Sequence, residues 1–174
     1  LGAEAVLTHP LFWTLSEKVR YVNRIHSSVA RTAELQAAMD EGAGCWGGGD
    51  WRRQKGLPAA LWQRGAPGRF EHADGRTSQY GNRTSELVRL VRNLSQHFAE
   101  QRPELRRAIL DIGGGGGGAG VGDAAAVASS VDEEEAAAVG RCFFGAFPSL
   151  VVHLRRAEAR LASQGQAARP QTGI

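Results

Sequence analysis

Thr84-Ser85-Glu86-Leu87-Val88-Arg89-Leu90-Val91-Arg92-Asn93-Leu94-Ser95-Gln96-His97-Phe98 is the stretch on which the reading of this chain turns. Leu87, Val91, Leu94 and Phe98 recur at i, i+4, i+7 and i+11, a narrow apolar stripe along one helix. The period predicts a helix from Thr84 or Ser85 to Ala99, with Asn93 and His97 one turn apart on its polar flank. Arg89 and Arg92 lie around the same polar side.

Helical signals continue on both sides. Pro103, at an expected N1 position, restarts a helix carrying Leu105, Ile109 and Ile112, which Gly113 ends. Upstream, Thr14 and Glu17 form a capping box, and Leu15, Val19, Val22, Ile25 and Val29 follow at spacings of three and four. That pattern runs on through Leu35 and Met39 and stops at Gly42. From Gly42 to Asn82 the signal is patchy. Trp46, Trp51, Trp62 and Phe70 anchor that region to a core, and Leu57–Gln63 reads as a short helix with Pro58 near its first turn.

Residues 113–138 are low complexity: polyglycine, then alanine and serine, then Asp132-Glu133-Glu134-Glu135. The glycines predict a flexible loop, and the acidic run predicts a helix N-terminus. That helix ends near Phe147-Pro148, and Leu150, Leu154, Ala157 and Leu161 mark a last one, with a disordered tail after Ser163. No strand alternation stands out, so the expected class is all-α: a compact helical domain with a Gly/Ala-rich insertion.

At 174 residues the chain suits one domain, and 42% hydrophobic with 22% charged residues reads as folded rather than disordered. A net charge of +3 and a pI near 9.3 are compatible with a polyanionic partner and equally with a mixed surface. Cys45 and Cys142 stand alone, which argues against a zinc site, and Cys142 lies in the apolar run Cys142-Phe143-Phe144 as a small core residue. No run approaches the length of a membrane span, and the opening residues lack the pattern of a signal peptide, so no membrane contact is expected of this stretch.

Tyr80, Arg92, Asn93 and His97 together offer the parts that cleavage of RNA requires. An arginine holds a phosphate by paired hydrogen bonds, and an imidazole gives up a proton near neutral pH. A tyrosine or second base takes the proton of a ribose 2′-hydroxyl, so RNA supplies its own nucleophile and no metal is needed. Tyrosine ordinarily titrates near 10, so a base role for Tyr80 requires a cation such as Arg92 to lower it. Read by residue type alone, the same set is also a solvated helix face beside a packing tyrosine.

The order of segments narrows the choice. His9-Pro10-Leu11-Phe12-Trp13 is followed by Asp50-Trp51, by Tyr80, by Leu87 to Phe98 with its Arg92-Asn93-x-x-x-His97-Phe98, and by Phe144-Gly145-Ala146-Phe147-Pro148-Ser149-Leu150. Across roughly residues 9–160 this resembles the kinase-extension nuclease (KEN) domain of the inositol-requiring enzyme, the unfolded-protein-response sensor, and of RNase L. The resemblance implies residues 1–13 as the end of a kinase C-lobe, 14–162 as the nuclease domain and 163–174 as a tail.

By matching positions, the resemblance further implies Arg92 and Asn93 at the scissile phosphate, His97 as general acid and Tyr80 as general base, with Arg89 and Arg83 as RNA contacts. It implies no cofactor for cleavage, a 2′,3′-cyclic phosphate product and activity as a homodimer joined to an N-terminal kinase. ATP or ADP and Mg would belong to that kinase, and the location would be the cytosolic face of the endoplasmic reticulum, or the cytoplasm. His9 and His153 match positions with structural roles, whereas His26 and His72 match none and are expected at the surface. Three departures stand out: a Tyr80-to-Arg92 interval one residue short, Leu94 and Ser95 in place of basic residues, and the long 113–138 insertion. A nuclease-dead docking extension and an unrelated helical binding domain are the competing readings.

Overall fold

Thr14 and Glu17 close the capping box that their spacing predicts. Thr14 Oγ1 accepts from the Glu17 amide (3.2 Å) and Glu17 Oε2 from the Thr14 amide (2.7 Å). The Thr14 amide first, and then the Thr14 hydroxyl donating to Oε2 (3.0 Å), hold the Glu17 carboxyl below its usual range. They start α1 (Leu15–Val29), which buries Val19, Tyr21, Val22 and Ile25. A computed structural model of the chain describes residues 9–29, 32–41, 46–112 and 124–167.

The helix expected to run on through Met39 is a separate one, α2 (Ala33–Asp40), because Thr32 before it takes an extended backbone, its hydroxyl donating back to the Ser28 carbonyl (3.2 Å). Leu35 and Met39 are buried as their spacing predicts. The stop expected at Gly42 lies outside the described residues, and α2 itself ends where Glu41 turns extended.

The tryptophan-rich region is packed down: Trp51, Trp62 and Phe70 are buried, and Trp51 stacks obliquely on Trp62 (5.8 Å) and edge-on to Phe147 (6.3 Å). The helix expected over Leu57–Gln63 is instead two single turns, Ala59–Leu61 and Gln63–Gly65. Trp62 between them is extended, which sends its indole N–H to the Arg52 carbonyl (2.9 Å).

A hairpin follows that sequence periodicity did not reveal. β1 (Arg69–Glu71) pairs antiparallel with β2 (Thr77–Gln79), Phe70 facing Ser78. Three-residue strands with one buried side chain between them carry too little alternation to be read. The class is therefore mostly helical with one small sheet, rather than purely α.

The stretch quoted at the outset forms α3 (Thr84–Gln96). Asp40, at the end of α2, caps it from outside: its carboxylate accepts from the Ser85 amide and hydroxyl, both at 2.8 Å. The apolar face is wider than the four-residue stripe, since Val88 and Leu90 are buried beside Leu87, Val91, Leu94 and Phe98. It packs against α1, α2 and α5. Pro103 opens α4 (Pro103–Leu110), with Leu105 and Ile109 buried. The expected end at Gly113, and the polyglycine run, lie outside the described residues.

α5 spans Ala124–Ala146, so Asp132 to Glu135 lie inside this helix and do not begin it. α6 (Leu150–Ala167) runs past Ser163, where a tail was expected. Leu150, Leu154 and Ala157 are buried on its stripe, and Leu161 is half-buried. No single helix among the described residues is long and apolar enough to cross a membrane; the apolar pair α5 and α6 bends by 84° and packs on α1 and α2.

One glycine is demanded by this arrangement. Gly68 has φ +85°, its carbonyl accepts from the Tyr80 amide (2.8 Å), and a Cβ there would stand 2.5 Å from the Tyr80 carbonyl oxygen and 2.9 Å from Arg52 Cδ. Gly75 has a similar φ of +82° with open space around it. Gly75→Ala is therefore expected to cost about 1–2 kcal/mol for its left-handed backbone alone, and Gly68→Ala clearly more because the clash is added. Urea midpoints measured side by side check the difference.

Candidate catalytic site

Asp50 and Arg52 organise the approach to the site. Asp50 accepts from the Arg52 amide (3.0 Å) and from Nε and Nη2 of its guanidinium (2.7 and 2.8 Å). The guanidinium bonds, first, hold the Asp50 carboxyl below its usual range. Arg52 Nη1 then reaches the Tyr80 carbonyl (3.2 Å), while Trp51 gives its indole N–H to the Gly81 carbonyl (3.1 Å) and its amide to Asn82 Oδ1 (3.0 Å). Residues 80–82 are thus pinned from one side, and Asp50-Trp51, noted only as a matching pair in the sequence, does the pinning.

With that turn held, Tyr80 folds back under α3. Its ring is fully buried (0% exposed), edge-on to Phe70 (6.1 Å), and its hydroxyl accepts from Asn93 Nδ2 (3.0 Å). Asn93 Oδ1 in turn accepts from Arg92 Nη1 (3.0 Å). Tyr80, Asn93 and Arg92 therefore form one hydrogen-bonded chain. The third reading, an unrelated binding domain, expects Asn93 and His97 to point away from Tyr80 and Arg92; Asn93 joins them, whereas the His97 imidazole pairs with Glu100.

Tyr80 is held in its protonated form rather than as the tyrosinate that a base role requires. Such a role needs a cation to lower the hydroxyl's pKa, and the guanidinium over the ring, at 4.6 Å, is that of Arg89 rather than Arg92. Burial outweighs both the Asn93 bond and the Arg89 charge, and pushes the hydroxyl above its ordinary value.

His97 sits just past the end of α3, its amide still bonded to the Asn93 carbonyl (3.1 Å), so the one-turn spacing holds. The half-exposed imidazole meets Glu100 through Nδ1 at 3.2 Å. Asn93 and His97 share a cleft of about 430 Å³ whose other walls include Phe70, His72, Arg76 and Gln101. Tyr80 and Arg92 do not line it. A nucleotide-sized ligand suits a cleft of this volume.

Of the two arginines expected to contact RNA, Arg83 is exposed at the start of α3. Arg89 is engaged with Glu86 (2.8 Å), the Gln79 carbonyl (2.8 Å) and the Tyr80 ring, which makes it a brace for the tyrosine. His9 Nδ1 accepts from the Leu11 amide (3.3 Å), and His153 meets the Met39 carbonyl (2.8 Å), both structural bonds. Cys142 is buried, its thiol pushed up to about 12 by desolvation; Cys45 lies outside the described residues. Among the described residues no three His, Cys, Asp or Glu side chains gather as metal ligands would.

No family model and no curated protein matches the sequence.

Two histidines expected at the surface are half-buried. His26, on α1, is held below its ordinary range by burial and then by the charges of Arg92 and Arg89. His72, in the hairpin, bonds Ser78 Oγ (2.8 Å) and packs edge-on to Phe70 (5.0 Å) in the wall of the cleft. Gln101 was not singled out either. It is 7% exposed, gives Nε2 to the His97 carbonyl (2.8 Å), and has Oε1 without a partner among the described residues. No sequence signal marked these residues, because only the unread hairpin and the turn after α3 bring them to the site.

Both tyrosines of the chain, Tyr21 and Tyr80, are raised above their ordinary value by burial foremost. Since the fold holds their protonated forms, their contribution to stability is complete below about pH 10 and is lost as pH rises through the folded values. Ultraviolet titration is expected to show no tyrosinate near pH 10 until the protein unfolds; an ionisation there with the fold intact would count against this burial.

Proposed function

We propose that this chain is a metal-independent endoribonuclease module of the kinase-extension type, acting as a dimer beside a kinase. The observation that carries the reading is the bonded chain Tyr80–Asn93–Arg92 with His97 one turn further on; of these, Asn93 and His97 line the cleft of about 430 Å³, and Arg92 stands behind Asn93.

The chemistry follows from the atoms left over. Asn93 spends one amide hydrogen on Tyr80 and keeps the other, and Arg92 spends one of five guanidinium donors on Asn93. The remaining donors suit the non-bridging oxygens of a phosphodiester, where charge develops in the transition state. Glu100, bonded to Nδ1 of His97, leaves Nε2 to protonate the departing 5′-oxygen. Attack by the ribose 2′-hydroxyl leaves a 2′,3′-cyclic phosphate. Tyr80 acts in this reading by orienting Asn93.

The buried Tyr80 hydroxyl favours a second reading, a docking extension that binds RNA or a partner without cutting. Cleavage of RNA in EDTA separates the two. His97→Ala and Arg92→Ala are each expected to lower the rate by about 10²-fold or more without unfolding the protein. Undiminished cutting by either variant, or bound RNA that is never cut, would sink the nuclease assignment.

A second measurement needs no turnover. Burial first, and then the charge of Arg92, holds His26 below its ordinary range. An uncleavable oligonucleotide whose phosphate meets Arg92 offsets that charge, so the His26 imidazole pKa, followed by NMR, is expected to rise on binding.

A further inference from the structure

We propose that His72 is the proton acceptor of the cleft, taking the proton of the ribose 2′-hydroxyl while His97 gives one to the leaving 5′-oxygen. The inference rests on the endoribonuclease reading above and supplies the base that Tyr80 does not. Tyr80 is fully buried, its hydroxyl is already engaged by Asn93, and it does not line the cleft. His72 does line it, together with Asn93 and His97.

The imidazole of His72 is held for such a role. Nε2 is committed to Ser78 Oγ at 2.8 Å, and Phe70 meets the ring edge-on with an interplanar angle of 76°. With Nε2–H donating to Ser78, Nδ1 carries the lone pair that receives a proton. Gln101 adds an independent sign of a ligand: a buried side chain in the same wall whose Oε1 has no partner among the described residues. A buried acceptor left open is costly, so this wall of the cleft carries an unmet hydrogen-bonding demand.

The step balances without a further reactant. The O2′–P bond forms and the P–O5′ bond breaks. The 2′-hydroxyl proton goes to His72, the His97 proton goes to O5′, and exchange with water restores both imidazoles. The charged and titratable groups around His72 are Asp74 and Arg76, paired at 2.6 Å at the hairpin tip, and Glu71 with Arg102 at the strand end. His97 and Glu100 face the cleft from the end of α3 and the turn after it.

The test is the pH profile of kcat/KM for the protein as the cell makes it, on a short RNA with oxygen or sulfur at the bridging 5′ position. A base must be unprotonated and an acid protonated, so His72 gives the rise on the acid side and His97 the fall on the alkaline side. His72→Gln, whose amide can still meet Ser78, is expected to lose about 10²-fold or more and the acid-side rise with it. Sulfur leaves without a proton, so the sulfur substrate is expected to restore His97→Ala and not His72→Gln. Ser78→Ala, which keeps the imidazole, is expected to lose only part of the rate and to retain both limbs.

An unaltered rate or an intact acid limb in His72→Gln overturns the inference, as does rescue of that variant by sulfur or loss of the acid limb in Ser78→Ala. If the unaltered protein cuts RNA in those cases, the nuclease reading survives. If it cuts none, both fall.

Discussion

α3 must serve at once as the middle of the core and as the wall of a site. Leu87, Val88, Leu90, Val91 and Leu94 are all buried, against α1, α2 and α5. A helix enclosed on that many sides has little freedom to rotate or slide, because a small shift misplaces several close-packed side chains together. Arg92 and Asn93 therefore leave the core at a set height and angle. Their positions cost the site little extra organisation, since packing has already placed the backbone beneath them.

The same constraint explains which parts of the molecule were legible beforehand. Helices α1, α3, α4 and α6 show in the sequence because each buries one face whose period survives in the residue pattern. The break at Thr32 was hidden because Leu35 and Met39 keep the spacing of α1 across it. The start of α5 was hidden because alanines carry almost no periodic contrast, which left the acidic run as the only visible cue. The hairpin was hidden by its brevity.

The candidate site divides along the same line. Asn93 and His97 lie one helical turn apart, so their proximity is local geometry and could be read directly. Arg92 follows from its adjacency to Asn93. His72 and Gln101 reach the cleft through a hairpin and a turn whose positions depend on tertiary packing, so nothing in their own neighbourhoods announced them. For Tyr80 the position beside Asn93 was legible and the burial was not. Its contact with Asn93 exists, but the burial that makes the contact also raises its hydroxyl, and burial is what a sequence states least clearly.

The hairpin is closed largely by bonds of its own. The His72 amide meets the Arg76 carbonyl (2.8 Å), the Gly75 amide meets the His72 carbonyl (3.0 Å), and Asp74 holds the Arg76 amide (3.0 Å) and side chain. Its tip, residues 73–77, is exposed. One wall of the cleft thus ends in a tip that can lengthen, shorten or change charge with little consequence for the helices, while Glu71 and Gln79 are tied to Arg102 and Arg89 through their carbonyls. The other wall is locked into the helices. Change at the tip, residues 73–77, would then retune what enters the cleft while Phe70, His72 and the helical wall stay in place, a division of unequal tempo across a single pocket.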